Sequence, residues 1–258
     1  MSRAIVISQA RLGSTRLPGK VLMNLAEQTV LRHVVERCAA IPGIDAVCCA
    51  VPDLAQDDPV AQEALKCGAL VSRGPELDVL ARYAIAARET GATIVMRITS
   101  DCPVIDPAVA GEVLRLVTEG GADYACNNLP PSFPHGLDCE AFRADWLLRA
   151  DAEAVLPSER EHVTPWLRNH PTLRRSVLQG PGAGTTHHRW TLDTPDDLDF
   201  LRALFARLPA GPAGWDYRVP LAIAEADPAL VAINAGHDRD AGLKKSLLAD
   251  RDFVAGRK

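Results

Sequence analysis

Hydrophobic positions in the first half of the chain switch between two periods. Ala4 to Ala10 is a short apolar run suited to a strand buried on both faces. A Gly/Arg-rich loop follows, Arg11 to Lys20. Leu31, Val34, Val35, Cys38 and Ala39 then recur at i, i+3, i+4, i+7 and i+8, which predicts an amphipathic helix. Ala46 to Val51 reads as a second strand, Asp57 to Cys67 as a helix and Ala69 to Ser72 as a third short strand. Val79, Leu80, Tyr83, Ala84 and Ala87 mark the next helix, and Thr93 to Ile98 the next strand. Asp106-Pro107 has the form of an N-cap followed by proline at the first helical position, opening a helix to about Glu119. Tyr124 to Asn127 starts another strand.

This alternation predicts an α/β protein with three αβα layers and a mostly parallel sheet. In such sheets the ligand site lies beyond the carboxyl ends of the strands. Two loops fall there: Arg11–Lys20 after the first strand, and Ser100-Asp101-Cys102-Pro103 after the fourth. From about Leu129 the rhythm breaks at Pro130, Pro131, Pro134 and Gly136. Ser158 to Glu161 reads as a capping box with Ser158 as the cap. Arg174 to Gln179 reads as a strand, and Arg189 to Asp193 resumes the sheet pattern. Thr194-Pro195-Asp196-Asp197 caps a helix with Leu198, Leu201, Leu204, Phe205 and Leu208 on its apolar face. The chain is thus expected to be one domain over 1–258. Segment 129–186 is expected to be a small insertion subdomain on that core, and its proline-rich stretch from Leu129 offers a surface for dimerisation. The last thirty residues read as helical pieces.

Charge narrows the partners. The 258 residues carry 28 Lys+Arg against 33 Asp+Glu, a net charge of -5. That balance excludes a chain built to coat a nucleic-acid backbone, which needs clustered excess positive charge. No apolar run approaches the roughly 18 residues of a membrane span, and no signal-peptide pattern follows Met1. A cytoplasmic protein with neither nucleic-acid nor membrane partners is expected. The seven cysteines include no CxxC pair, which favours reduced thiols over a disulfide framework or zinc site.

Against that acidity, the loop from Arg11 to Lys20 concentrates Arg11, Arg16 and Lys20 with Gly13, Ser14, Thr15 and Gly19. Backbone N–H groups in tight turns, joined by Arg and Lys, suit phosphate oxygens. It is not a P-loop, because five residues separate Gly13 and Gly19 and Val21 follows Lys20. Asp101 and Asp193 each end a strand-like run and can face the same crevice. Two such carboxylates with triphosphate oxygens are what magnesium takes. Asp106, Asp196 and Asp197 read as helix caps, and His187-His188, Gly180–Gly184, Cys102 and the four tryptophans read as structural.

The pieces Gln9–Leu22, Ser100–Pro103, Gly136–Asp138, Arg160–Pro165 and Asp193–Leu198 together resemble the cytidylyltransferase family of the spore coat polysaccharide biosynthesis protein F type. That family is related to the acylneuraminate and KDO cytidylyltransferases. The resemblance runs in order from Ile5 to about Gly236. It implies a GT-A-like, Rossmann-related nucleotidyltransferase fold, CTP as substrate, Mg2+ or Mn2+ as cofactor and a homodimer. Carried over, Arg11, Gly13, Ser14, Arg16 and Lys20 match the nucleotide-phosphate loop, with Arg73 and Arg97 assigned to the nucleotide as well. Asp101 and Asp193 match the metal-binding aspartates, and Asp138, Glu140 and His162 fall in the acceptor region. Lys20, Arg11 and Asp101 carry the catalytic assignment. The reaction implied is attack of an acceptor oxygen on the α-phosphorus of CTP, making a CMP-activated sugar acid. Alternatives are a phosphonate, polyol phosphate or sugar-1-phosphate acceptor, a GT-A glycosyltransferase with Asp151-Ala-Glu153 in place of a DxD motif, or a non-catalytic nucleotide binder.

Overall fold

The computed structural model describes residues 2–209, 211, 214–239 and 241–256. Strand β1 (Ala4–Gln9) is followed by a two-stranded hairpin, β2 (Asn24–Leu25) and β3 (Gln28–Thr29), and by α1 (Val30–Ala39). Next come β4 (Ala46–Pro52), α2 (Asp58–Lys66), β5 (Leu70–Gly74), α3 (Val79–Thr90), β6 (Ile94–Arg97) and α4 (Pro107–Thr118). The second half adds β7 (Tyr124–Cys126), β8 (Glu140–Arg143), α5 (Ala144–Glu153), α6 (Pro157–His162), α7 (Pro165–Asn169) and β9 (Arg175–Val177). Helices α8 (Pro195–Phe205), α9 (Arg218–Ala226), α10 (Pro228–Ala232) and α11 (Ala241–Ala255) complete the described chain.

Seven strands form one sheet in the order β5-β4-β1-β6-β8-β7-β9. Its pairs are parallel except those of β8, which runs antiparallel to both β6 and β7. The expected mostly parallel αβα architecture is therefore present. Successive residues of β1 point to opposite faces, as the pleat requires. Val6 packs with Val34, Val35 and Val113 on one side. Ile5 and Ile7 pack with Leu80, Tyr83 and Phe142 on the other. A third core joins Leu25, Trp190, Phe200, Leu201 and Trp215 beside the sheet.

Connections from β1 go outward to β4 and β5, then return to β6 on the other side of β1. That reversal opens a crevice beyond the carboxyl ends of β1 and β6, where such sheets bind ligands. The loops carrying Lys20 and Asp101 flank it. Two expected caps are in place: Asp106 Oδ1 accepts from Val109 N at 2.9 Å, and Thr194 Oγ1 accepts from Asp197 N at 3.3 Å.

Three local readings change. Helix α6 starts at Pro157, not after Ser158, and its Glu159 carboxylate accepts from Val155 N and Leu156 N. Arg189–Asp193 is extended but joins no ladder, because Trp190 N is bonded to His135 O and Leu192 N to Asp101 O rather than to a strand. Segment 129–186 supplies β8 and β9 to the main sheet as well as α5–α7, so it is tied to the core through backbone hydrogen bonds. Among the described residues no helix is long and apolar enough to cross a membrane.

Candidate active site

The loop after β1 is cinched around Leu12. Its N–H donates to Asp57 Oδ1 at 2.7 Å, and its carbonyl accepts from Ser14 N and Gly19 N at 2.8 and 3.0 Å. Gly19 has φ of 71°, the left-handed region that a Cβ disfavours, and this turn delivers the next residue into the crevice. There the Lys20 ammonium donates to Asp101 Oδ2, Asp193 Oδ1 and the Leu192 carbonyl, each at 2.7 Å. All three of its protons are thereby used. Arg16 approaches the same Asp193 oxygen from the open side at 3.1 Å.

Both carboxylates are held from behind. Ser100 Oγ donates to Gln9 O at 2.6 Å and ties the Asp101 loop to β1. Leu192 N donates to Asp101 O at 2.8 Å, so the two aspartate-bearing segments are joined by backbone. The backbone N–H groups of Asp193 and Thr194 donate to Asp197 Oδ2 at 2.9 and 3.0 Å. Asp197 is fully buried and is clamped in turn by Arg189 at 2.8 and 2.9 Å and by Asn234 at 2.9 Å. Burial works against charge at Asp101, but the Lys20 ammonium outweighs it and holds the carboxyl well below the usual range. Burial likewise works against the Lys20 charge, and Asp101 and Asp193 together raise it above its ordinary value.

Two cavities meet at this point. One, of about 420 Å³, is lined by Arg11, Ser14, Arg16, Lys20, Arg82 and Lys245. The other, of about 310 Å³, is lined by Arg97, Asp138, Glu140, Thr164, Arg168 and Arg239. Asp101, Asp193, Arg16 and His162 line both, so the paired carboxylates stand at the seam. In the second cavity Glu140 is buried and accepts from Arg97 at 2.7 Å, Arg168 at 2.6 and 2.9 Å, Thr164 at 3.1 Å and the Tyr124 hydroxyl. Burial opposes ionisation there, yet Arg168 and Arg97 bring the Glu140 carboxyl down to about 2. Two guanidiniums on one carboxylate leave this wall with one excess positive charge, and the buried Arg97 Nε has no hydrogen-bond partner among the described residues. Asp138 is paired with Arg239 at 2.5 Å.

Of the residues singled out in the sequence, Arg11, Ser14, Arg16, Lys20, Asp101 and Asp193 line the first cavity, and Asp138, Glu140 and His162 line the second. Lys20 was expected on the phosphates but stands between the two aspartates. Arg97, expected on the nucleotide, lines the Glu140 cavity and not the one beside the Arg11–Lys20 loop. Gly13 lines neither, and a Cβ there would meet Glu76 Oε1 at 3.3 Å. Arg73 also lines neither. It sits on β5 at the sheet edge, where Asp58 at 2.5 Å and the Pro52 carbonyl at 3.0 Å hold it. Burial, and then Asp101, push the Cys102 thiol well above its ordinary value. Sequence reasoning missed Asp57, Arg168, Asn234 and Lys245, and it saw Asp197 only as a cap. The capping box was a usable signal for Asp197; the others act across the fold and left no local pattern.

A cytidylyltransferase family model matches residues 5–209. The spore coat polysaccharide biosynthesis protein SpsF of Bacillus subtilis is 31% identical over 214 residues, covering 80% of this chain and 88% of its own. A 3-deoxy-manno-octulosonate cytidylyltransferase of Anaeromyxobacter is 30% identical, covering 82% of this chain and 99% of its own. Among solved structures, a cytidylyltransferase from Leptospira borgpetersenii superposes with a TM-score of 0.85 at 26% identity, over 92% of this chain and 100% of its own.

Proposed function

The chain belongs to the cytidylyltransferase family, and from that premise we propose that it transfers CMP from CTP to a sugar acid with release of pyrophosphate, assisted by Mg2+ or Mn2+. The observation that carries this reading is the convergence of Asp101 and Asp193 on one cation position at the seam of two cavities. The loop-side cavity, with Arg11, Arg16, Ser14 and Lys245, suits a triphosphate. The second cavity, with one excess positive charge on Arg97, Arg168 and Glu140, suits a singly charged carboxylate.

Lys20 already holds a positive charge where both carboxylates point, which tests the fit of a metal ion directly. The donors are hard oxygens, few in number, and among the described residues no cluster of three or more His, Cys, Asp or Glu surrounds them. Such a set fits Mg2+ or Mn2+, which takes one or two protein carboxylates and completes its shell with phosphate and water oxygens. Asp101 and Asp193 would hold it, and its chemistry there is charge neutralisation and polarisation of the α-phosphate. The chain's own residues do the remainder. Arg97 and Arg168 orient the acceptor, whose oxygen forms a bond to the α-phosphorus while the bond to the bridging oxygen of pyrophosphate breaks. Arg11 and Arg16 meet the charge on the leaving group. Positioning and electrostatics are the main contributions such a transfer needs.

Pyrophosphate release tests the reading, using CTP and other nucleoside triphosphates against sugar acids, a polyol phosphate, a phosphonate and a sugar-1-phosphate. Release is expected with CTP and a sugar acid once Mg2+ or Mn2+ is added. No release with CTP and any sugar acid would contradict it. Segment 129–186 is assigned to acceptor binding and to a homodimer contact, supported by the partly exposed Trp146–Trp166–His170 ring cluster. Light scattering at the mass of two chains supports the dimer, and the mass of one chain rejects it.

A further inference from the structure

His162 ends α6 and lines both cavities. Its Nε2 lies 2.8 Å from Ser246 Oγ on α11, and that hydroxyl lies 2.6 Å from Glu161 Oε2. A serine hydroxyl has one proton, and an ionised carboxylate only accepts. The Gly242 carbonyl also lies 3.2 Å from this hydroxyl, but the carboxylate is nearer and charged, so the Ser246 proton points to Glu161 and Ser246 Oγ accepts from His162. This fixes the Nε2–H tautomer and leaves the Nδ1 lone pair as the ring's acceptor. Helix α11 is itself pinned to α6, because Ser158 N and Oγ both donate to Asp250, at 2.8 and 2.6 Å. The ring's orientation thus depends on a helix outside the family-matched residues 5–209.

Resting on the transfer reading above, we propose that His162 is the general base of the reaction: Nδ1 takes the proton of the acceptor hydroxyl, with Ser246 and Glu161 as its positioning residues. The acceptor O–H bond breaks as its oxygen bonds to the α-phosphorus. The electron pair of the cleaved P–O bond leaves on pyrophosphate, and the proton stays on His162 until solvent takes it. Glu161, reached through Ser246, stabilises the imidazolium that forms. The charges that act on the ring are Glu161 beside it on α6, Arg97 on β6, Arg168 on α7 and Glu140 on β8, and Arg16, Asp101 and Asp193 line both cavities with it, with Lys245 of α11 on the loop side. Burial foremost, with Arg97 and Arg168, outweighs Glu161 and Glu140 and keeps the ring below its ordinary pKa. His162 is therefore neutral at pH 7, the state a base needs.

The test uses the full chain with CTP and 3-deoxy-manno-octulosonate as the probe acceptor. In the unmodified enzyme kcat is expected to fall as pH drops through the ring's pKa, below the ordinary 6.5. His162→Gln should lose about 10²–10⁴-fold in kcat with KM for CTP nearly unchanged, and the acid limb should vanish. Ser246→Ala should lose less and shift that limb, and Ser246→Thr should restore it. Independently of turnover, nitrogen NMR of labelled histidine should show the Nε2–H tautomer for His162, lost to a mixture in Ser246→Ala. A wild-type kcat with an intact acid limb in His162→Gln, or a rise in acceptor KM alone, overturns the proposal. So does an Nδ1–H tautomer in the unmodified protein, whatever the acceptor. Failure of the unmodified enzyme to turn over any sugar acid instead counts against the transfer reading.

Discussion

Replacing Lys20 by methionine keeps most of the stem and removes the charge that joins Asp101 to Asp193. Their oxygens each lie 2.7 Å from the same nitrogen, which caps their separation at twice that distance. Two unit charges about 5 Å apart repel by about 3 kcal/mol at an effective dielectric of about 20. Breaking a buried ion pair by removing one partner costs a similar 3–5 kcal/mol or so. Lys20, Asp101 and Asp193 are only 12%, 22% and 19% exposed, so solvent screens this little. At roughly 2–4 °C per kcal/mol for a chain of this size, a loss of about 3 kcal/mol lowers Tm by roughly 6–12 °C. A divalent ion at about 100 times its Kd should return about 2.7 kcal/mol, nearly the whole loss. The unmodified chain should gain less, because the ion must first displace Lys20. Thermal unfolding of both proteins over a Mg2+ or Mn2+ titration without CTP measures this. Equal melting temperatures and equal metal responses would refute the idea that the two carboxylates share one cation position.

Two further perturbations test the walls of the site. Glu140 ionises at about 2 instead of 4.5, so its stabilising effect is complete above pH 4.5 and is lost as pH falls toward 2. That shift corresponds to about 3 kcal/mol. Urea unfolding should therefore show Glu140→Gln less stable at neutral pH, with the gap to the unmodified chain closing between about pH 4.5 and 2; a constant gap would contradict the ion-pair account. Lys245 lines the loop-side cavity from α11, so Lys245→Met should raise KM for CTP with little change in kcat, while an unchanged KM would remove Lys245 from the triphosphate site.

How much of this was readable in the chain depends on where each residue's partners lie. The Arg11–Lys20 loop, Asp101 and Asp193 follow apolar runs or precede caps, so short-range pattern exposes them. Asp106 and Thr194 were equally legible, because a cap and its helix are neighbours in sequence. Strand β8 was not, since four residues between proline-rich and helical segments carry too little periodicity, and its antiparallel place between β6 and β7 is set by pairing alone. Arg189–Asp193 has the apolar rhythm of a strand, but Trp190 and Leu192 bury against a third core with no ladder beside them. Arg168 and Ser246 meet their partners 28 and 84 residues away, and on a helix they look like ordinary polar positions. Arg73 is the reverse case. It is the penultimate residue of β5, where the sequence shows a strand end but not that the strand is the sheet edge, away from both cavities.

Pyrophosphate release from CTP by Asp101→Asn, set beside nucleotide binding by the same variant, tests the central claim most directly. The substitution keeps the shape of the side chain and weakens it as a metal ligand. The account predicts that release with a sugar acid and Mg2+ falls to background while CTP still binds through Arg11, Arg16 and Ser14. Wild-type release by Asp101→Asn would contradict it.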